Sequence, residues 1–239
     1  SIHKKMLADE ERMKEIRSKK IADLNKSKLW KKFHANLLKA PHRIKELKAD
    51  GIPFKVIKEF QIGYHPGFGY YDENAKGKRD RFVSPAFTFP IFRNDRCVNI
   101  RCRILSDKPL VTGKYRPIWT GLGMAFLLAE VPNQDYIIIT EGEKKALNLY
   151  ARGFSAIGLW GVWSWKKEWI PWLKNRYKHH IILFDGDNEG VRKAARELSN
   201  RLNGTPMFLG GKIDDLLNKG KITADQLQYL VNGVRDKPW

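Results

Sequence analysis

The stretch ILFDGDNEG at residues 182–190 places three acidic side chains within five positions, directly after an apolar run. The run that leads into it is rich in branched and aromatic side chains, which favours a parallel strand buried on both faces. Because side chains alternate along a strand, Asp185 and Asp187 are predicted to point to the same side, with Gly186 allowing the backbone to turn. Two neighbouring carboxylates repel each other, so this strand end is predicted to need a cation or a proton.

Two other kinds of site use a similar pattern. The run DGDNEG matches the first half of a calcium-binding EF-hand loop, including the glycine at its sixth position. The twelfth position is Arg196 rather than Glu, and a strand precedes the loop instead of a helix, so we exclude calcium binding of this kind. A lone D-x-D pattern also occurs in phosphatases that use the first Asp as a nucleophile. The surrounding sequence is therefore needed to identify the kind of site.

The balance of charges points to a polyanionic partner. The 239 residues contain 45 Lys and Arg against 26 Asp and Glu, a formal net charge of +19. A membrane surface is the competing polyanion, and a basic solvated surface without any partner is the remaining alternative. No stretch approaches the roughly 20 apolar residues of a membrane-spanning helix and no signal peptide is visible, so we predict a soluble, cytoplasmic protein.

The cysteine content argues against disulfides and against zinc. Cys97 and Cys102 are the only two cysteines. They are too few for a disulfide framework and lack the second ligand pair of a zinc ribbon, so we expect reduced, partly buried strand residues and no zinc in this chain. The chain begins with Ser1, which indicates a piece excised from a longer protein.

The character of the sequence changes twice along the chain, which predicts an α/β protein in three parts. Residues 1–50 form a basic helical segment, whose charged face is either solvated or an arm that binds a nucleic-acid template. Residues 51–130 consist of short aromatic and branched runs divided by Gly, Pro and Asn, which predicts a smaller basic α+β subdomain with a meander of short strands. Residues 131–239 alternate strand and helix, which predicts βαβ units, a parallel sheet flanked by helices and a C-terminal helix.

Two local patterns make sharper predictions. Residues 93–96 are predicted to form the turn of a β-hairpin that places Arg101 and Arg103 on one face, where they would make a good phosphate track. The run TADQ that begins at Thr223 predicts a helix whose capping box is closed by Gln226.

Acidic residues recur at the predicted strand ends. The strand that begins at Tyr136 ends in Glu141-Gly142-Glu143, and the pair Asp214-Asp215 follows a predicted fourth strand. In open parallel sheets, active residues gather beyond the carboxyl ends of the strands. Alone, each pair is more often a helix cap or a solvated acid. If the strands are neighbours, three or four carboxylates share a small volume, and hard divalent cations are the usual resolution.

The sequence resembles a known family over roughly residues 45–220. The runs IIITEGEKKAL, ILFDGDNEG and GKIDDLL, in this order, are similar to the TOPRIM fold of DnaG-type primases, topoisomerases and some nucleases. Upstream, the runs LKADGIPFKVIKEFQIGYHPG, RDRFVSPAFTFPIF, RCRIL and GKYRP resemble successive elements of the primase catalytic core. The exact sequences EGEKKAL and GLWGVWSW are more similar to those of TOPRIM primases from phages and mobile elements than to those of the bacterial housekeeping enzyme.

This resemblance implies a function and a set of site residues. It implies a DNA-directed nucleotidyltransferase of DNA replication that synthesises short RNA primers on single-stranded DNA from nucleoside triphosphates, with Mg²⁺ or Mn²⁺ as cofactor. A replicative helicase or a missing template-recognition module would be a further partner. The implied catalytic and metal-binding carboxylates are Glu141, Asp185, Asp187 and Asp214, with Asp215 as an additional metal ligand. The implied residues that bind nucleic acid or nucleotide are Arg81, Arg101, Arg103, Lys114 and Tyr115.

The sequence also departs from the family pattern. DnaG-type primases usually carry an acid four residues after the first Glu, where this chain has Lys145, and a D-P-D-E-like run where this chain has Lys212-Ile213-Asp214-Asp215. The zinc-binding module and most of the helical region after TOPRIM are missing, and the basic N-terminal helix is a candidate substitute. These departures leave the number of metals open. They also leave two rivals to a primase: another TOPRIM enzyme such as a nuclease, and a non-catalytic module that binds single-stranded nucleic acid.

Overall fold

The chain divides into two compact units. A computed structural model describes residues 2–73, 77–107, 109–111, 113–186 and 188–235, with side chains from residue 7 onward. The first unit comprises Ser1–Lys45 and Ile57–Ala125, and the second comprises Glu46–Val56 and Phe126–Trp239.

The N-terminal part of the chain is helical, as predicted from its sequence. Its helices are α1 (Ile2–Ser27), α2 (Leu29–Leu38), α3 (Pro41–Ala49) and α4 (Phe54–Glu59). Lys28 has a left-handed backbone with a φ of 48°, which separates α1 from α2. Leu24 and Trp30 are buried among residues of the first unit's sheet, so α1 and α2 are only partly solvated helices.

An antiparallel meander forms the sheet of the first unit. Its strands are β1 (Gly63–Glu73), β2 (Arg79–Arg93), β3 (Arg96–Ile104) and β4 (Tyr115–Pro117), in that spatial order. Strand β2 is longer than the short runs expected, because it continues through Pro85 and Pro90. Proline lacks only the amide donor, and the carbonyl of Pro85 still accepts a hydrogen bond from the amide of Leu105 at 2.8 Å.

The turn between β2 and β3 confirms the predicted hairpin. Arg93 pairs with Arg96, and the two residues between them, Asn94 and Asp95, have φ values of 47° and 59°. Positive φ at both central positions is the geometry of a type I′ turn, which Asn and Asp tolerate better than most residues.

The second unit contains a five-stranded sheet with helices packed against it. Its elements are β5 (Leu127–Ala129), β6 (Tyr136–Glu141), α5 (Glu143–Tyr150), β7 (Ala156–Leu159), α6 (Trp169–Arg176), β8 (His179–Leu183), α7 (Glu189–Leu202), β9 (Thr205–Pro206), α8 (Ile213–Asn218) and α9 (Ala224–Arg235). The sheet has the order β5, β7, β6, β8, β9, and the neighbours β7, β6, β8 and β9 are parallel to one another. The short strand β5 adds an antiparallel edge beside β7.

The core of the second unit explains why the sequences of β6 and β8 are mostly apolar. All five residues of β8 are buried, as are the first five of β6, because helices cover both faces of these central strands. Helix α7 packs Ala194, Leu198 and Leu202 against apolar side chains of these strands. The helix ends at Asn203, which has a left-handed φ of 53°. Asn tolerates this left-handed conformation better than most residues, so it commonly ends a helix.

Helix α9 begins with the predicted capping box. The Thr223 hydroxyl accepts a hydrogen bond from the Gln226 amide at 3.1 Å, and the Gln226 side chain accepts one from the Thr223 amide at 2.8 Å. Thr223→Ala is expected to lower the free energy of unfolding by roughly 0.5–2 kcal/mol, because an amide at the helix start loses its partner. Urea denaturation measures this change. Thr223→Ser keeps the hydroxyl and should match the parent, so an equal loss in both variants would contradict the capping account.

Both cysteines are fully buried in β3. Burial raises the pKa of the Cys97 thiol to about 12, which keeps it protonated at neutral pH.

None of the helices in the described part of the chain combines the length and the apolar character that crossing a membrane requires.

Candidate functional site

The first two predicted acids lie at the carboxyl ends of neighbouring strands. Strands β6 and β8 are parallel, and their last paired residues are Thr140 and Leu183. Glu141 follows Thr140 directly and is half-buried, whereas Asp185 lies two residues beyond Leu183 and is only 8% exposed. The sheet therefore brings both acidic strand ends to the same edge, as the sequence predicts for neighbouring strands.

A glycine turn joins β6 to α5 and directs the two glutamates into different environments. Gly142 has a φ of 89°, a conformation that disfavours side chains other than glycine, and its amide donates to the Leu159 carbonyl at 2.7 Å. Glu143 begins α5 and is fully buried. Gly158 in β7 lies against this turn, since a Cβ there would come within 2.7 Å of the Gly142 carbonyl oxygen.

The loop after β8 is held by the first turn of α7. The Asn188 side chain caps α7 by accepting from the Val191 amide at 2.9 Å, and Arg192 donates to the Gly186 carbonyl at 3.0 Å. Both contacts fix the backbone that follows Asp185. Asp187 lies outside the described residues, so its predicted alignment with Asp185 stays a prediction.

Asp185 has a cationic partner within the protein. Lys145 Nζ lies 2.5 Å from Asp185 Oδ2, and the two side chains expose 12% and 11% of their surfaces. Lys145 is the third residue of α5, the helix that follows Glu141 and Gly142, and its side chain reaches the carboxylate beyond the end of the neighbouring strand β8. The adjacent Lys144 forms an ion pair with Asp50.

The remaining two predicted carboxylates lie in the first turn of the short helix α8. Asp214 is half-buried, and its Oδ1 is buried without a hydrogen-bond partner in the described part of the chain. Asp215 is exposed to solvent. They follow β9 at a distance of several residues, because that strand is only two residues long.

The predicted carboxylates have the ligand chemistry that a divalent cation requires, but the described ones are only partly grouped in space. Carboxylate oxygens are the ligands that Mg²⁺ and Mn²⁺ prefer, and Glu141 and Asp185 offer them from adjacent strand ends. Among residues 2–73, 77–107, 109–111, 113–186 and 188–235, no three or more His, Cys, Asp or Glu side chains form a group that could hold a metal ion. Glu141, Asp185, Asp214 and Asp215 therefore do not form such a group among themselves.

The basic residues predicted to contact nucleic acid lie on the sheet of the first unit. Arg101 and Arg103 are two apart in β3, opposite Phe89 and Phe87 of β2, whereas the buried Cys102 between them packs into the core. Arg103 is half-buried, but Arg101 is only 5% exposed.

The structure adds an aromatic partner to this basic surface. The Arg101 guanidinium lies 5.2 Å from the ring centroid of the half-buried Tyr115 in β4, within range of a cation–π interaction. Lys114 is exposed in the turn before β4, and Arg81 is exposed in β2. Arg103, Tyr115 and Arg101 are thus brought together, whereas Arg81 lies farther along the sheet, paired with Tyr71.

Two features of the site are not apparent from the sequence. Lys145 stands out there only as a basic residue at an acidic position of a family pattern, and its spacing of four from Glu141 is the signal that places it near the strand ends. Gly158 carries no sequence signal beyond being a glycine in a strand, which indicates a close backbone approach in general but does not identify the partner.

Comparison with known sequences gives a limited match. A family model described as a domain of unknown function, DUF3854, matches residues 130–205, which lie in the second unit. No curated protein matches the chain.

Comparison with solved structures gives extensive matches to primases. The zinc-binding and RNA polymerase domains of the Aquifex aeolicus primase match with a TM-score of 0.69 and 19% identity, over 91% of this chain and 61% of that one. A DnaG primase catalytic domain bound to single-stranded DNA matches with a TM-score of 0.63 and 20% identity, over 85% and 78% of the two chains. A DNA primase domain from Pseudomonas aeruginosa matches with a TM-score of 0.61 and 21% identity, over 80% and 71%.

These similarities establish the fold. The chain has the mixed α/β fold of DnaG primase catalytic cores, with a mixed sheet flanked by helices and an N-terminal helical segment. It spans about 61% of the length of the Aquifex aeolicus chain. The resemblance of the sequence to that family is therefore matched at the level of three-dimensional structure.

Proposed function

We propose that this protein is the catalytic core of a DNA primase, which synthesises short primers on single-stranded DNA by metal-dependent nucleotidyl transfer. The observation that carries the proposal is the structural match to primase catalytic cores, which extends over 91% of the chain and is not limited to one unit. One of those structures is a DnaG primase catalytic domain bound to single-stranded DNA. The net charge of +19 suits the same partner.

In this proposal, the acidic strand ends of the second unit bind the cofactor. Glu141, Asp185, Asp187 and Asp214 would hold Mg²⁺ or Mn²⁺, with Asp215 as a further ligand. A bound divalent cation would neutralise the charge of the nucleoside triphosphate and of the developing transition state. The protein's own part is to hold Glu141 and Asp185 at one sheet edge, which the parallel register of β6 and β8 supports.

The basic sheet of the first unit would bind the template, the incoming nucleotide or the nascent primer. Arg81, Arg103 and Lys114 present cationic groups for phosphates, and Tyr115 offers an aromatic ring on which a base could stack. Arg101 is buried against that ring, so its proposed role is to orient Tyr115. The proposal has four further parts. Residues 131–239 would form a TOPRIM domain, and the protein would originate from a phage or mobile element. It would be cytoplasmic and would act with a helicase.

A non-catalytic module that binds single-stranded nucleic acid is the second candidate. The ion pair between Lys145 and Asp185 favours it, because a carboxylate that already has a cationic partner is less available to a metal. Incorporation of nucleotides distinguishes the two functions, since a binding module has the basic surface but no chemistry.

The test is incorporation of labelled nucleoside triphosphates on mixed-sequence single-stranded DNA with Mg²⁺ or Mn²⁺. The proposal predicts short products that require both the template and the divalent cation and that disappear when EDTA is added. Binding of the same template without any product would reject a self-sufficient primase. Shortening of the template instead would indicate a nuclease.

A further inference from the structure

The contact between Lys145 and Asp185 lies where little solvent reaches. The two side chains expose only 12% and 11% of their surfaces, and Nζ lies 2.5 Å from Oδ2. Charge-assisted hydrogen bonds at such distances are stronger than neutral ones, and ions in solution screen a partly buried pair less than an exposed one. The ammonium is thus a counter-ion that the folded chain itself supplies to Asp185.

A metal ion and this ammonium would compete for the same oxygen. A divalent cation that binds Asp185 through Oδ2 has to displace Nζ or accept a positive charge as its close neighbour, and like charges at that range repel strongly when little water screens them. The carboxylate retains Oδ1 as a second acceptor, so the lysine weakens metal binding without blocking it.

We propose that Lys145 is a built-in cation of this strand end: its ammonium neutralises Asp185 and reduces the affinity of the site for divalent cations. Lys145 is then a positioning residue that acts through Asp185. The inference rests on the proposed function for the role of the cation, but it concerns metal binding in the absence of nucleotide and template.

Lys144 provides a matched control on the same helix. Its side chain is as little exposed as that of Lys145, at 12%, and it too forms an ion pair with an aspartate, Asp50. Loss of either lysine removes one positive charge and one ion pair from α5. The ion pair with Asp185 is formed by Lys145, whereas Lys144 pairs with Asp50, so the difference between the two variants isolates the proposed effect.

The experiment measures Mn²⁺ affinity by electron paramagnetic resonance of the free ion, and Tm with and without Mg²⁺. Lys145→Met is expected to bind Mn²⁺ roughly tenfold more tightly than the parent, because an uncompensated carboxylate attracts the ion. Mg²⁺ should raise the Tm of Lys145→Met more than that of the parent or of Lys144→Met, since metal binding stabilises the folded state. Adding Asp185→Asn to Lys145→Met should abolish the gain in affinity.

Two outcomes overturn the inference. One is an Mn²⁺ affinity of Lys145→Met equal to that of the parent, and the other is a gain in affinity that persists when Asp185 is also replaced. Should Lys145→Met fail to fold, Lys145→Gln keeps a hydrogen-bond donor toward Asp185 and removes only the charge, with the same expected gain and the same overturning result. Because these measurements need no nucleotide, a failed incorporation assay would reject the proposed function and leave this inference intact.

Discussion

Asp185→Asn is expected to lower nucleotide incorporation by roughly 10²–10³-fold, because the neutral amide is a much weaker metal ligand than the carboxylate. Affinity for single-stranded DNA should stay close to that of the parent, since the basic residues proposed to contact the template lie in the first unit. The measurement compares incorporation of labelled nucleotides with template affinity for the same protein preparation.

A loss of stability has to be separated from this loss of activity. Asp185→Asn leaves the little-exposed Lys145 ammonium without its carboxylate, so the Tm is expected to fall, and the assay temperature must lie well below the new Tm. Asp225→Asn makes the same chemical change at an exposed position of α9 and should leave incorporation unchanged. Equal activity of the parent and Asp185→Asn would remove Asp185 from the proposed site.

Gly158→Ala is expected to lower the free energy of unfolding by about 1–3 kcal/mol and to lower incorporation as well. A Cβ at this position would lie 2.7 Å from the Gly142 carbonyl oxygen and 3.0 Å from the Glu143 Cα. Both atoms belong to the backbone, so the clash cannot be relieved by a side-chain rotation. The turn that follows Glu141 must move away from β7, and the first acidic strand end moves with it.

A second glycine in the same unit controls for the substitution itself. No heavy atom of the described residues, beyond its own chain neighbours, lies within 4 Å of a Cβ built on Gly161. Gly161→Ala should therefore change the free energy of unfolding by less than about 0.5 kcal/mol. Urea denaturation of the two variants measures the difference. Similar stabilities of Gly158→Ala and Gly161→Ala would contradict the close approach of β7 to the β6–α5 turn.

Several elements could be predicted because their sequence signals are local. Each of these elements depends on residues that are near one another in sequence. They are the buried strands β6 and β8, the amphipathic helix α7, the Asn94-Asp95 turn and the Thr223 capping box. The mixed α/β class follows from the order of these elements.

The parts that could not be predicted depend on contacts between distant segments. The pairing of Lys145 with Asp185 requires that β6 and β8 be neighbours and that α5 leave β6 at a particular angle, neither of which a single sequence specifies. Strand β5 is three residues long, too short for a periodic pattern, so its antiparallel edge is not visible in advance. The division of the chain into the three predicted parts, residues 1–50, 51–130 and 131–239, stays a prediction.

The most direct test of the central claim is whether the products of this protein are copies of its template. The measurement is to sequence the products formed on a library of single-stranded DNA templates with Mg²⁺ or Mn²⁺ and all nucleoside triphosphates. The account predicts short products, each complementary to a segment of its template, that are absent when template is omitted. Products unrelated to the template, or no product from a protein that binds the library, would contradict it.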